Sequence, residues 1–422
     1  MKHLTVIVVG AVTILESAKT FEEVGAGIRV PPNSSRLTAS WGVNFTKVKK
    51  EVSLGNRFVD WKGNVLLDCD FSDVEDKYGA PYYFIHRADL IKLLVATAKE
   101  NERIAIRTGC RVASYDFDAP SVTLTDGEVL SADLVVCADG IKSPARDIVN
   151  GRHVVPQDTG DVAYRILVPA GLLLEDPEME PLVRDPWAVH WMGPEGHAVG
   201  YPLREGEMYN IIIDVTHSSD VGEPLPEEGQ VWKSARSNSE LVERFKDWCP
   251  QVRKLCTMTR EYLKWKLADF DQLDHWVHAG GKVCLLGDSS HPMMPYMAQG
   301  AAQATEDAAT LAAALKEYVD MSQALESYEK QRKPRAAYVA RNTRVLQEWL
   351  HLYDGPARAG RDQAMQEDAP SNPIFWGCTQ RRDWLFGHDA RALENESCVP
   401  DLPSMPPDDA RVYKGRDMVR AE

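Results

Sequence analysis

Residues 282–311, KVCLLGDSSHPMMPYMAQGAAQATEDAATL, limit the possible folds more than any other stretch of the chain. Residues 283–286 form a short apolar run between Gly281 and Gly287, which is typical of a buried strand in an α/β sheet. Asp288 follows at once, and a carboxylate just past the carboxyl end of such a strand lies where open α/β sheets bind ligands. The stretch therefore predicts an α/β fold with a ligand site near this carboxylate.

The second half of this stretch predicts a helix that a flat ligand can approach closely. Pro292 and Pro295 keep the intervening segment out of a helix, and the helix is expected to begin near Gln299. Gly300 and Ala301 then carry almost no side chain, which leaves the backbone accessible. Free N–H groups at a helix start favour negative charge on a ligand. The alternative is a buried strand, a loop and an alanine-rich helix without a ligand.

The beginning of the chain predicts an incomplete Rossmann-like unit. Residues 4–10, LTVIVVG, are an apolar run that ends in glycine, as the first strand of such a unit does. A G-x-G-x-x-G turn and a crossover helix normally follow. Here residues 12–16 follow Ala11 directly and look like the second strand, with Glu16 at its tip as the acid that would bind a ribose. Parallel neighbouring strands need a crossover of about a dozen residues, so residues 6–16 are expected to form one long strand.

Two other segments predict further parts of the same architecture. Residues 132–140 read as a buried strand that ends in Asp139-Gly140, with a helix starting after Ser143. Residues 161–267 contain several strand-like runs separated by Gly, Pro and Glu turns, which predicts an inserted mixed β-sheet. His190 and His197 lie on these strands, where we expect core histidines rather than catalytic bases.

Together these segments resemble the class A flavoprotein monooxygenases, which have the para-hydroxybenzoate hydroxylase fold, and especially fungal enzymes of the salicylate hydroxylase type. The resemblance covers almost the whole chain except the missing first crossover. It implies FAD as the cofactor and NAD(P)H as the co-substrate. The residues that would contact FAD by this resemblance are Glu16, Gly27, Arg29, Arg87, Asp139, Asp288, Gly300 and Ala301.

The resemblance also implies a reaction and a substrate site. NAD(P)H reduces FAD, O₂ adds to the flavin to give a hydroperoxide, and a phenolic or salicylate-like aromatic compound is hydroxylated, in secondary metabolism or aromatic catabolism. Arg165 and Tyr201 resemble the pair that anchors the phenolate: an arginine can bind a carboxylate or phenolate in a bidentate way, and a tyrosine can donate to the phenolic oxygen. Three alternatives stay open: a surface arginine with a packed tyrosine, a non-catalytic remnant that does not hold FAD, and a flavin oxidoreductase that inserts no oxygen.

The predicted organisation is a Rossmann-like FAD-binding unit, with its first crossover incomplete, that carries an inserted sheet and long C-terminal helices. Its parts are residues 1–160 and 268–350 for FAD, 161–267 for the substrate, and 351–422 as a cap and tail. In the C-terminal half we expect a helix kinked or broken at Pro334 with a mostly surface helix after it, a polar loop over 356–373 and a disordered tail from Cys398.

Composition narrows the range of partners. The net charge of −15 argues against nucleic acid and anionic membrane surfaces. No run approaches the ~20 apolar residues of a membrane span, and the eight cysteines are scattered. We therefore expect buried free thiols in a reducing, cytoplasmic compartment, no metal site, and a small aromatic substrate with O₂ as the partners.

Overall fold

A computed structural model describes residues 4–9, 11–21, 27–216, 232–235, 237–259, 261–393 and 399–411. These residues contain a five-stranded sheet, an eight-stranded sheet and two three-stranded sheets. None of the described helices combines the length and the apolar character that crossing a bilayer requires.

The five-stranded sheet contains the strands that end at or just before the predicted ligand-binding acids Glu16, Asp139 and Asp288. Its strands are β1 (Leu4–Val9), β2 (Ala11–Glu16), β8 (Ile104–Thr108), β12 (Leu134–Ala138) and β19 (Val283–Leu285), in the order β19-β12-β1-β2-β8. β12 pairs with β19 and β2 pairs with β8 in parallel, whereas β1 is antiparallel to both of its neighbours. Consequently β2, β8, β12 and β19 all end at the same edge of the sheet.

The prediction of one long strand over residues 6–16 is wrong, because β1 and β2 form a tight hairpin. They pair in antiparallel register from Leu4 opposite Glu16 to Val9 opposite Ala11, and Gly10 between them lies outside the described residues. Folding back gives both apolar halves ladder partners inside the sheet, which a single long strand could not obtain. With no crossover between them, the two strands cannot be parallel. The β1–β2 connection therefore lies at the edge opposite to the carboxyl ends of β2, β12 and β19.

The eight-stranded sheet forms the second layer. Its strands are β5 (Gly55–Asp60), β6 (Val65–Asp70), β13 (Gln157–Pro169), β14 (Trp187–Gly193), β15 (Gly196–Leu203), β16 (Met208–Thr216), β17 (Trp232–Ala235) and β18 (Tyr262–Asp269), in the order β17-β18-β13-β16-β15-β14-β5-β6. It thus recruits β5 and β6 from the segment before residue 160, and β13 crosses that predicted boundary. The boundaries themselves stay a prediction.

The two faces of the eight-stranded sheet are covered differently. One face packs under α5 (Gly171–Leu174), α6 (Glu180–Arg184), α7 (Ser239–Arg244) and α8 (Pro250–Met258). The other face, which we call the inner face, packs against Met294, Tyr296 and Met297 and against the aromatic C-terminal segment. The inner face therefore lies against the connection between β19 and the helix that follows it.

The remaining elements complete the layers around the two large sheets. The small sheets contain β3 (Gly27–Val30), β4 (Lys50–Val52) and β7 (Tyr83–His86), and β9 (Val112–Asp116), β10 (Ser121–Leu124) and β11 (Val129–Ser131). The other helices are α1 (Pro32–Ser40), α2 (Val74–Tyr78), α3 (Arg87–Lys99), α4 (Pro144–Asn150), α9 (Gly300–Glu317), α10 (Met321–Leu350), α11 (Pro356–Ala364) and α12 (Thr379–Phe386).

Several predictions for the C-terminal half are wrong. α10 continues through Pro334, because packing of the helix against α9 and the inner-face core outweighs the lost hydrogen bond. Its second half is mostly buried, and residues 356–364 are helical rather than a loop. Residues 399–411 are ordered against α10, where Trp349 donates to the carbonyl of Ser404 and Val345 packs near Met405. Cys398 and residues 412–422 lie outside the described residues.

Candidate functional site

Three predicted acids stand at the carboxyl edge of the five-stranded sheet. Glu16 ends β2, Asp139 follows β12, and Asp288 follows β19, and the last two strands pair in parallel. The carboxylate of Glu16 accepts from the backbone N–H of Ala18 at 2.6 Å. Tyr115 donates to Asp139 Oδ2 at 3.0 Å, while Asp139 Oδ1 is buried and has no hydrogen-bond partner. Each acid therefore lies at or just beyond the carboxyl end of its strand, and its role toward a ligand stays a prediction.

The start of α9 is open to a ligand. No side chain caps the helix, Ala301 is exposed, and a Cβ atom at Gly300 would meet only the Met293 side chain, at 3.9 Å. Nearby Asp288 is half-buried, and its partial removal from water raises its pKa, an effect that His291 and the cation of Arg87 oppose. Uncapped N–H groups, small side chains and an adjacent carboxyl group make a site for a flat, hydrogen-bonding ring.

A buried charge network that the sequence did not reveal holds this helix in place. Arg332 donates to Asp307 Oδ1 at 2.8 Å and to Glu306 Oε2 at 2.6 Å, and Arg335 donates to Glu306 Oε2 at 2.7 Å. Asp307 also accepts from the backbone N–H of Gly287 at 3.0 Å, which ties the turn after β19 to α9. The signal available was the i, i+3 spacing of the two arginines.

Asn33 joins the same network and does not cap α1. Pro31 is the N-cap residue, and Asn33 instead donates to Gln299 at 3.1 Å and to Glu306 at 2.6 Å. Asn33 therefore forms hydrogen bonds with Gln299 and Glu306 in place of a hydrogen bond that would cap α1.

Gly27 makes a close backbone approach to the large sheet. Its N–H donates to Asn210 Oδ1 at 2.9 Å, and a Cβ atom at this position would lie 2.6 Å from Cε2 and the hydroxyl oxygen of Tyr201. No real Cβ tolerates that distance, so only glycine fits here. The predicted cofactor residue Gly27 and the predicted substrate residue Tyr201 are thus in direct contact.

Replacing Gly27 with alanine should displace the Tyr201 ring and lower kcat/KM for a phenolic substrate by about 10- to 100-fold, because misplacement of a positioning group by about 1 Å has effects of this order. Steady-state kinetics on the folded variant would measure the loss. Gly171→Ala is the matched control, since a Cβ atom there meets nothing within 4 Å. Equal activity of the two variants would show that Tyr201 does not need this contact.

Arg165 and Tyr201 lie on the inner face of the eight-stranded sheet. Arg165 is opposite Ile212, Ile212 is opposite Val199, and Tyr201 lies two residues beyond Val199, so the two side chains share a face. The Arg165 guanidinium lies 4.8 Å from the Trp265 ring, and its Nε is buried without a hydrogen-bond partner. An unpaired, buried guanidinium nitrogen is a ready donor for an anion.

Electrostatic interactions connect residues predicted to contact FAD with residues predicted to bind the substrate. Burial and the nearby cation of Arg87 lower the pKa of Arg165 to about 10. Burial raises the pKa of Tyr201 to about 12, against the opposing effect of Arg29 and Arg165. Since Arg87 acts on both Arg165 and Asp288, this cation at the start of α3 connects the carboxyl edge with the inner face.

Arg29 turns toward the inner face. Its Nη1 donates to Asn56 at 3.0 Å and lies 3.4 Å from His190 Nε2, and its Cζ lies 6.0 Å from the rings of both Tyr201 and Trp376. Its predicted contact with FAD stays a prediction. No local sequence signal indicated that Asn56 and Trp376 lie next to this arginine, because they come from β5 and the C-terminal segment.

The comparisons with known proteins decide the family. The sequence profile of the FAD binding domain matches residues 50–343, and an FAD-dependent monooxygenase from Beauveria bassiana is 34% identical over 401 residues, or 91% of each chain. The chain belongs to this family of FAD-dependent aromatic monooxygenases. A 3-hydroxybenzoate 6-hydroxylase from Aquipseudomonas alcaligenes is 31% identical, with 89% of this chain and 91% of the relative covered. A solved salicylate hydroxylase substrate complex is similar with a TM-score of 0.71 and 26% identity, over 88% of this chain and 92% of the other.

The residues at the carboxyl edge fit the flavin end of FAD, the cofactor of the family. The free N–H groups at the start of α9 would donate hydrogen bonds to the flavin ring. The buried Asp139 Oδ1, which has no hydrogen-bond partner, would accept one from the cofactor. The phosphate end differs from the usual arrangement, because the β1–β2 hairpin brings no Gly-rich turn or helix start to this edge among the described residues. Contacts of Glu16 and Arg87 with the cofactor stay predictions.

This difference predicts weakened FAD binding. Inserting a G-x-G-x-x-G turn and helix between Ala11 and Val12 should tighten FAD binding by about 100-fold or more, since two restored hydrogen bonds to a charged group contribute about 1.5–3 kcal/mol each. Fluorescence titration of the apoprotein with FAD would measure both constants. A Gly/Ser insertion of equal length is the control. Equal FAD affinity of the unmodified protein and the two insertion variants would show that the β1–β2 hairpin does not weaken FAD binding.

Proposed function

We propose that the protein uses NAD(P)H and O₂ to hydroxylate a phenolic compound of the salicylate or hydroxybenzoate type. The proposal rests on the close contact between Gly27 and Tyr201. It also rests on the electrostatic interaction of Arg87 with both Asp288 and Arg165. These residues come from the predicted cofactor and substrate units. A ring held at the start of α9 would therefore face a substrate on the inner face.

The inner face supplies what a phenolic substrate needs. Bound FAD supplies reducing equivalents and the activation of O₂. Arg165 holds the anionic oxygen of the substrate, and its positive charge in a buried setting favours the phenolate over the phenol. Because the pKa of Tyr201 is raised to about 12, its hydroxyl stays protonated at neutral pH and donates to that oxygen. Tyr201 is buried and Arg165 is half-buried, which limits the access of water to the reacting ring.

Two further observations support this assignment over the alternatives. The relatives are named as monooxygenases and hydroxylases, which favours an enzyme over a non-catalytic remnant. The seven described cysteines are all free, and six of them are buried, as expected for a protein that works in the reducing cytoplasm.

The test is a reaction under ¹⁸O₂ with the FAD-loaded protein, NADH or NADPH, and salicylate or 3-hydroxybenzoate. We expect substrate-stimulated consumption of the reduced nucleotide and one ¹⁸O atom in the product. Nucleotide oxidation that yields only hydrogen peroxide with every phenol would overturn the proposal in favour of an oxidase. Tyr201→Phe should lower product formation more than substrate affinity.

A further inference from the structure

The turn between β15 and β16 has a strained backbone. Arg204, Glu205 and Gly206 follow one another in the left-handed region, with φ angles of 56°, 58° and 75°. Only glycine adopts this region freely, and arginine and glutamate are not among the residues that tolerate it best. Two consecutive non-glycine residues persist there only where the surroundings hold them.

Two partly buried contacts hold this turn against other parts of the chain. The Glu51 carboxylate on β4 accepts from the backbone N–H of Gly206 at 2.8 Å. Arg204 donates to both carboxylate oxygens of Asp89 on α3, at 2.8 and 3.1 Å. The turn of the large sheet is thus bound to the small sheet and to the helix that follows it.

The same small sheet contacts Tyr201. Tyr201 lies on β15 close to the turn, and its ring centroid is 4.7 Å from that of Phe84 on β7. Glu51 is paired with Phe84 across β4 and β7, and Gly27, which touches Tyr201, is on the other side of β7. A displacement of the turn would therefore move Tyr201 relative to Phe84 and Gly27.

We propose that Glu51 is a positioning residue, whose carboxylate holds the β15–β16 turn against the small sheet and thereby fixes the Tyr201 hydroxyl for the phenolic oxygen of the substrate. The role rests on the proposed function, since it acts through Tyr201. The ionised carboxyl makes a charge-assisted hydrogen bond with Gly206, which offsets the strained backbone better than the bond of a neutral carboxyl does. The placement of Tyr201 therefore depends on the ionisation of Glu51.

Glu51 changes its charge near neutral pH. Partial removal from water raises the pKa of Glu51 to about 7, and the hydrogen bond from Gly206 opposes this rise. As the pH rises through this value, Glu51 loses its proton and holds the turn more tightly. The other charged and titratable groups on the elements packed around it are Arg204, Glu205, Glu207, Asp89, Lys49, Lys50, Tyr83 and His86.

Binding without turnover tests the role of Glu51. The FAD-loaded protein, without NAD(P)H, is titrated by calorimetry with salicylate, whose charge is constant around neutral pH. We expect the wild type to bind salicylate about 5-fold more tightly above pH 7 than below it, as a charge-assisted hydrogen bond differs from a neutral one. Glu51→Gln should show the weaker affinity at every pH, which separates Glu51 from a titration of His86.

Two further variants keep the result interpretable. Glu205→Gly removes part of the backbone strain, so it should restore most of the affinity to Glu51→Gln. Alone it should reduce the pH step, so the test survives if Glu51→Gln fails to fold. Glu207→Gln is the matched control, because Glu207 lies in the same turn but pairs with Lys49 at the surface, and it should keep the step. A step that is absent from the wild type, or unchanged in Glu51→Gln, would overturn the proposal.

Hydrogen exchange of the peptide that spans residues 201–210 gives a test that needs no substrate. After correction for the intrinsic pH dependence of exchange, its protection should rise through pH 7 in the wild type and stay constant in Glu51→Gln. This result in a protein that hydroxylates no phenol would keep the turn held by Glu51 and reject the hydroxylation. Equal, constant protection in both proteins would reject the role of Glu51, whatever the activity.

Discussion

Replacing Arg165 with methionine should lower kcat/KM for a phenolic acid by about 100-fold, within the range observed when one donor to a developing or bound oxyanion is removed. The reason is geometric and electrostatic. Arg165 carries a buried Nε without a partner, on the face that also carries Tyr201. Methionine keeps most of the volume against Trp265 but removes the charge and the donors. Arg165→Lys should recover only part of the loss, since lysine cannot form two parallel hydrogen bonds.

Lys264→Met is the matched control for this prediction. Lys264 is a cation in the same sheet, but it contacts Glu240 and the Tyr164 ring on the opposite face, under α7 and α8. Its removal should leave kcat/KM unchanged. If both methionine variants lost activity to the same extent, the effect would belong to the stability of the sheet, and the substrate role of Arg165 would be rejected.

Replacing Arg332 with methionine should lower the free energy of unfolding by about 3–5 kcal/mol, the usual cost of removing one partner from a buried ion pair. Arg332 is 1% exposed and binds both Glu306 and Asp307. Burial tends to raise the pKa of Glu306, but Arg335 and Arg332 outweigh it and hold the pKa well below its ordinary value. The variant leaves two buried carboxylates with less compensation. Urea unfolding followed by circular dichroism would measure the change.

Arg184→Met serves as the control, because Arg184 forms only a solvent-exposed pair with Glu180. Such pairs contribute little, so this variant should unfold at nearly the wild-type urea concentration. A decrease in the free energy of unfolding of less than about 1 kcal/mol in Arg332→Met would contradict the role assigned to the network.

The lowered pKa of Glu306 also predicts how stability depends on pH. The stabilising contribution of Glu306 is complete above the ordinary glutamate pKa of about 4.3 and is lost as the pH falls below it.

The sequence predicted the parts of the site that depend on local signals. An apolar run stopped by Gly287-Asp288 or Asp139-Gly140 can be recognised without knowing its neighbours, and both strands were found as expected. The start of α9 near Gln299 was also found as expected.

What depended on tertiary pairing could not be predicted. The position of β1 next to β12 depends on a pairing with residues more than a hundred positions away in the chain. The partners of Arg29 come from β5, β14 and the C-terminal segment, so no local pattern points to them. The second half of α10 is rich in arginine and alanine, yet it is mostly buried, and part of it packs against residues 399–411, whose proline content suggested disorder. In each case a long-range contact outweighed a local preference.

The placement of the flavin beside the substrate face is tested most directly by the visible spectrum of the purified protein, loaded with FAD, as salicylate is added. We predict that the protein takes up FAD and that salicylate shifts the flavin absorption bands in a saturable way, with a weaker response in Arg165→Met. A protein that takes up no FAD, or a flavin spectrum that does not respond to any phenolic acid, would contradict the site.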